Sequence, residues 1–468
     1  MINSSAKILF YNKNSENIVA SAGRISTTKG SVDEIYIKSC AKSKDENMKL
    51  IQKIISSGHM SVLEHIFLNI SFDNVSVFVE QFMIEFRLAS FTVKSRRYVD
   101  FGNMGFVCPA FEKYGEKAGI IENLYQQHME YLFEEYSNFL KLGIPKEDAR
   151  FVLPYSFRSN FYCTVNLREF IRIVKEMIWG RGQEYEEIYR IGQSLLQQCK
   201  DILPFTETVI KKPIKNKNYD TDLFDISNII DTAIHKEIEQ SKVTLLDFTD
   251  NPEEKICKAA LLSRGIKDFS EDKIRNPEIQ KKIIKNIISN SRKRELEQVN
   301  YTILFNHISL STITHLTRHR MQSIIIPKYN EIYDFNEFII PESINEKNLT
   351  ERYKNIFAKT QDVINKLIAN GMLKCDLIYL LLSGLTIPVM TTMNANELFS
   401  FISLRSCNRS QWEIAGIVKE LLKELRAKHP ILFSFYGPTC YSTGVCPEGR
   451  MSCGKIKEVQ NAFIENKF

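Results

Sequence analysis

Apolar and polar positions alternate along Ile66–Phe72 and again along Tyr301–His307, the period of a strand with one face buried. Each run passes into a stretch of helical spacing, Val77–Phe86 and Leu310–Arg318. Long amphipathic periods over Ile120–Leu140 and Leu349–Asn370 predict two further helices, and Glu397–Leu404 predicts a shorter one. The same succession therefore occurs twice, and its mixture of strands and helices predicts an α+β fold.

The recurrence extends to residue identities. Asn14-Ser-Glu-Asn-Ile-Val-Ala-Ser-Ala22 matches Asn251-Pro-Glu-Glu-Lys-Ile-Cys-Lys-Ala259, with Ser26 on Ser263. Ile54-Ile-Ser56 and Leu63-Glu-His65 match Ile287-Ile-Ser289 and Leu296-Glu-Gln298, and Thr164-Val-Asn-Leu-Arg168 matches Thr392-Met-Asn-Ala-Asn396. A period of about 230 residues is too long for a solenoid, so each copy is expected to be a whole domain. The expected division is residues 1–218 and 219–468. The basic polar stretch Lys211–Asn218 reads as the linker and Asp222–Gln240 as a connecting helix, after which Val243-Thr-Leu-Leu246 opens the second copy.

Composition narrows the functional classes. A chain of 468 residues exceeds one comfortable core and fits two domains of ordinary size. Hydrophobic content of 44% with 25% charge is that of a soluble globular protein. The most apolar run, Leu377–Met390, is too short for a membrane span and contains Pro388, so no membrane association is expected. The N-terminus has no apolar stretch of signal-peptide type, which gives a cytoplasmic expectation, and ten cysteines would be ordinary there as free thiols. A net charge of +6 is mild; it suits phosphorylated small molecules and does not argue for a nucleic-acid scaffold.

Candidate chemistry begins at Arg318-His319-Arg320, just past a predicted helix end. Guanidinium forks bind phosphate or an electron-rich ring by two-point contacts, but a charge run taken alone is more often a solvated patch. The first copy carries a degraded echo, Glu85-Phe86-Arg87-Leu-Ala-Ser90, which continues to Ser95-Arg96-Arg97. Ser95 and Arg97, two apart on an expected strand, would share one face. Arg150 and Arg405 are equally unspecific as single residues. Cys440, Cys446 and Cys453, with Cys407 upstream, lack any Cys-x-x-Cys pair, a weak signal, and no metal is assigned. His128, His235 and His429 read as helix-surface residues.

Together these segments resemble the flavin-dependent thymidylate synthases, whose signature is Arg-His-Arg-x-x-Ser-x-x-x-x-Ser-x-Arg. The first copy is similar to that family from His59-Met-Ser61 through Leu88–Asp100, at Arg150-x-x-Leu-Pro154 and at Phe161–Arg168. The second is similar at Arg318–Ser323, at Phe401–Arg405 and at Gln411–Ile414. Each departs from the pattern in a different place. In the first copy the triplet is Glu85-Phe86-Arg87 and the catalytic-arginine position falls on Met177; in the second, Ser-x-Arg becomes Lys328 and Asn330, Arg292 replaces the early histidine and Ile378 replaces Arg150.

The resemblance implies two tandem thymidylate synthase-like domains forming a pseudo-dimer, with composite sites between the two halves and a homodimer of tandem chains. It implies reductive methylation of dUMP to dTMP, with FAD as cofactor and methylenetetrahydrofolate and NADPH as co-substrates. The roles it implies are Arg405 as the catalytic cation beside the uracil ring, Ser95, Arg97 and Arg150 on the nucleotide, and His59, Ser61, Arg318, His319, Arg320, Asn166 and Arg168 on the flavin. Two alternatives remain open at this point: C5-alkylation of another uracil nucleotide, and a catalytically inactive paralogue that binds flavin or nucleotide.

Overall fold

The computed structural model describes residues 4–211, 241–266, 274–329, 332 and 335–468. The expected linker beyond Lys211, the expected helix Asp222–Gln240, His235 and Asn330 lie outside the described residues. The alternating runs are strands. β1 (Ser5–Tyr11), β2 (Phe67–Ser76), β3 (Ala89–Val93) and β4 (Arg158–Asn166) form an antiparallel sheet in the order β1-β2-β4-β3. β5 (Val243–Phe248), β6 (Asn300–Ser309), β7 (Gln322–Ile325) and β8 (Thr386–Asn394) form a second sheet in the order β5-β6-β8-β7.

The duplication is visible in strand register. Ala89 pairs with Val165 in the first sheet and Gln322 with Met393 in the second, so the motif strand of each copy is aligned residue for residue. Even the irregularities recur. β2 slips between Phe72 and Val75, and β6 slips between Phe305 and Ile308. Inside these slips Asn74 and His307 take left-handed φ values of 54° and 52°.

The helix starts are set by the same chemistry in both copies. Ser76 Oγ accepts from Val79 N at the start of helix Val77–Ile84, and Ser309 Oγ accepts from Thr312 N at the start of helix Leu310–Leu316. A buried carboxylate closes each start: Glu187 accepts from Ser76 N at 2.9 Å, and Glu413 from Ser309 N at 2.8 Å. Asn166 and Asn394 likewise cap helices Leu167–Ile178 and Ala395–Arg405, each accepting from the N–H of a glutamate three residues on.

The compact units do not coincide with the repeats. One comprises Met1–Lys236 with Ile340–Ser383, the other Glu237–Ile339 with Gly384–Phe468. The arm 340–383, which in sequence belongs to the second copy, thus packs within the first unit. Its helix Thr350–Ala369 lies along helix Ala118–Lys141, burying Tyr353, Ile356 and Phe357 with Leu132, Tyr136 and Phe139. Arg352 forks onto Glu135 at 2.7 and 2.8 Å. Beyond the helices the arm and the matching segment of the first repeat exchange hydrogen bonds reciprocally: Tyr155 N to Leu381 O at 2.8 Å, and Ser383 N to Leu153 O at 2.9 Å. Matching segments that trade equivalent bonds make an isologous contact, as between the subunits of a symmetric dimer.

This arm corrects the reading of His128 as a surface residue, and His429 is half-buried at a helix end. His128 is buried at 3% exposure because helix Thr350–Ala369 covers it, and its Nε2 lies 3.0 Å from Thr360 Oγ1. His429 closes helix Trp412–Lys428, with Nδ1 3.1 Å from Tyr301 OH.

Candidate active site

Helix Leu310–Leu316 ends in a turn, His319 N to Leu316 O, that aims the Arg318-His319-Arg320 triplet in alternate directions. Arg318 and Arg320 are exposed, whereas His319 is turned inward and only 6% exposed. It meets one face of helix Ala395–Arg405, because Glu397, Phe401 and Arg405 are four residues apart and project on the same side. Arg405 Nε donates to His319 Nε2 at 3.0 Å, Glu397 Oε1 lies 3.5 Å from Nδ1, and the Phe401 ring meets the imidazole edge-on at 4.8 Å. Burial pushes the His319 pKa below its ordinary value; Glu397 opposes that shift and the Arg405 charge adds to it. Neither Glu397 nor Phe401 was singled out in the sequence. Their spacing ahead of Arg405 on one helix face is the signal that would have found them.

The first copy has rebuilt the same place without the chemistry. Phe86 occupies the His319 position, on the equivalent turn from Phe86 N to Met83 O, and is buried. Met177 occupies the Arg405 position and is fully buried. Glu169, which corresponds to Glu397, keeps its buried carboxylate, now bonded by Arg172 at 3.1 Å.

The nucleotide-side candidates of the first copy come together around Glu147. Arg97 Nε lies 2.9 Å from Glu147 Oε1, and Arg150, itself 3% exposed, donates from Nε to Glu147 O at 3.0 Å. Ser95 and Arg97 are not on a strand, contrary to expectation. β3 ends at Val93, and the chain turns so that Ser95 Oγ accepts from Arg97 N at 3.3 Å and Ser95 O from Val99 N. The two side chains are related by a turn instead of by strand alternation. Between them Arg96 points into the core, paired with Glu80, whose other oxygen accepts from Ser159 Oγ at 2.6 Å. In the second copy the position of Arg150 is the buried Ile378.

Of the first copy's flavin-side candidates, Asn166 and Arg168 line a cavity of about 510 Å³, together with Met60, Leu88, the cations Arg172 and Lys175 and the carboxylates Glu64, Glu169 and Glu176. His59 and Ser61 flank Met60 and are exposed; Arg168 pairs with Glu64 at 2.5 Å. Arg168 lies in the first turn of the capped twelve-residue helix, where its guanidinium and the helix N-terminus suit the pyrophosphate of a dinucleotide, while Arg172 pairs with Glu169. Asn166 spends its Oδ1 on the helix cap, which leaves its amide N–H groups as the donors for a ligand. All ten cysteines are free thiols; Cys407 Sγ accepts from Arg409 N at 3.5 Å.

No helix among the described residues is long and apolar enough to cross a membrane. The family model described as thymidylate synthase complementing protein matches residues 7–205 and 244–431. The flavin-dependent thymidylate synthase of Clostridium tetani is 31% identical over 249 residues, covering 48% of this chain and 97% of its own. That of Geobacter sulfurreducens is 32% identical over 234 residues, covering 48% and 98%. Among solved structures, a UMP/dUMP methylase from Streptomyces cacaoi aligns with TM-score 0.37 at 20% identity, over 44% of this chain and 94% of its own. Two separate segments match one family model and coincide with the two sheets and their shared register: the chain belongs to the thymidylate synthase complementing protein family and carries its domain twice.

Proposed function

We propose that this protein is a flavin-dependent enzyme that methylates dUMP at C5 to give dTMP, with methylenetetrahydrofolate as carbon donor and NADPH as reductant. The observation that carries the reading is the buried His319–Glu397 pair with the half-buried Arg405 bonded to it, kept whole in one copy while the other has replaced its histidine and arginine by Phe86 and Met177. Buried polar groups are costly unless fully partnered, so their retention favours an active enzyme over an inactive paralogue.

Uracil C5 is a weak nucleophile until the ring gains anionic character at N3 and O4. A guanidinium fixed beside those atoms stabilises that charge as it develops, an electrostatic contribution that requires no reorganisation at the moment of reaction. Arg405 has this role. Arg97 and Arg150, drawn together at Glu147, take the nucleotide phosphate, with Ser95 as a hydroxyl donor. His59, Ser61, Asn166 and Arg168 of the first copy with Arg318 and Arg320 of the second would hold FAD, which would supply the hydride. The functional site therefore takes residues from both copies, and the working assembly is a homodimer of tandem chains.

The test is product formation. Purified full-length protein with FAD, NADPH, methylenetetrahydrofolate and dUMP should yield dTMP by mass spectrometry. Flavin-loaded protein that leaves dUMP unchanged but methylates UMP would move the substrate assignment; unchanged dUMP and UMP together would remove the enzymatic reading.

A further inference from the structure

We propose that His319 acts through Arg405, as a positioning residue: a neutral imidazole anchored by Glu397 whose Nε2 lone pair fixes the orientation in which the guanidinium meets the uracil ring. The inference rests on the proposed function and assigns His319 to the catalytic arginine in place of the flavin.

Its basis is a chain of forced roles. A guanidinium has only donors, so the 3.0 Å contact from Arg405 Nε requires an unprotonated Nε2. A neutral imidazole then carries its proton on Nδ1, the nitrogen that faces Glu397 at 3.5 Å. The charged groups facing the ring are Glu397 and Arg405, both on helix Ala395–Arg405. Phe401, from the same helix, holds the ring edge-on. With 6% exposure the imidazole has little freedom to turn and choose the other tautomer. The first copy serves as an internal comparison. Where the arginine has become Met177 the histidine has become Phe86, while the carboxylate remains and is paired locally by Arg172. A histidine dispensable once its arginine is gone is what a positioning role entails.

Protonation of His319 would remove the lone pair and set a second cation against Arg405, so turnover should fall on the acid side as this one group titrates. Burial places that limb below the ordinary histidine value. His319→Phe, the first copy's own substitution, should lower kcat for dTMP formation by about 10²-fold, the scale of a misplaced catalytic group, with little change in KM for dUMP. His319→Gln retains an acceptor oxygen, and should recover most of kcat while the acid limb disappears, since an amide does not titrate. Wild-type kcat in His319→Phe, or an unchanged acid limb in His319→Gln, would overturn the proposal. Should the variants fail to fold, nitrogen NMR of histidine-labelled wild-type protein decides: Nε2 unprotonated at neutral pH is expected, and a protonated Nε2 overturns it. Absence of dTMP from the unsubstituted chain would instead defeat the proposed function, and the measured tautomer would then judge the His319–Arg405 contact alone.

Discussion

His307 sits at φ 52° in the slip of β6, where the matching residue of the first copy is Asn74. Left-handed backbone costs most side chains about 1–2 kcal/mol, and asparagine tolerates it best after glycine. His307 Nδ1 does lie 3.3 Å from Glu337, but both groups are well exposed and a surface pair contributes little. His307→Asn should therefore stabilise the protein by about 0.5–1 kcal/mol, seen as a raised melting temperature. A lowered one would show that the Glu337 contact outweighs the backbone term. A second pair of residues makes the opposite kind of comparison. Arg96 and Glu80 are a buried ion pair assisted by Ser159, and the aligned positions of the second copy are Tyr329, Ile313 and Ile387, all buried. Removing one partner strands a charge, so Glu80→Ala should cost about 3–5 kcal/mol. Replacing the trio together by Glu80→Ile, Arg96→Tyr and Ser159→Ile should be near neutral, because apolar packing of similar volume commonly matches a buried pair. Thermal melts of both variants check this, and a triple variant as unstable as Glu80→Ala would show that the two copies' cores are not interchangeable here.

At the scale of elements, much was legible. The alternating runs became β2 and β6, the helical stretches after them became the short helices that end at the motif, and the two long amphipathic periods became Ala118–Lys141 and Thr350–Ala369. What periodicity could not reveal was which helix covers which. His128 has a polar enough neighbourhood in sequence to pass for a surface residue, and only the arm of the other repeat buries it. Ser95 and Arg97 failed for a different reason: β3 ends two residues earlier, since Lys94 N makes the last bond to β4 and the chain then turns. The buried His128 has a measurable consequence. Burial, with a smaller contribution from Lys359, pushes its pKa down to about 4 from an unfolded value of about 6.5. The folded state therefore resists protonation; the stability is fully present above pH 6.5 and is lost as pH falls toward 4. The full shift is worth roughly 3 kcal/mol. His128→Gln, which can still bond Thr360, should flatten the fall in melting temperature across that window relative to the wild type. Parallel pH profiles would place the acid sensitivity elsewhere.

For the whole molecule, duplication has let two copies of one domain diverge in opposite directions. The first keeps the arginines that gather at Glu147 and has filled the Arg405 place with Met177; the second keeps Arg405 with its His319 and Glu397 and has filled the Arg150 place with Ile378. That division makes kinetics the most direct test of the central claim, that the nucleotide phosphate is read by one copy and the ring by the other. Steady-state dTMP formation should be compared for wild type, Arg97→Ala and Arg405→Ala. Loss of one charge-assisted hydrogen bond to a bound phosphate is worth roughly 1.5–3 kcal/mol, so Arg97→Ala should raise KM for dUMP by about one to two decades while kcat is largely kept. Arg405→Ala should lose about 10²-fold or more in kcat with flavin still bound, since its contribution is made in the transition state. Variants that lose kcat and KM in the same proportion, or an Arg97→Ala enzyme whose KM is unchanged, would contradict the division of labour between the two copies.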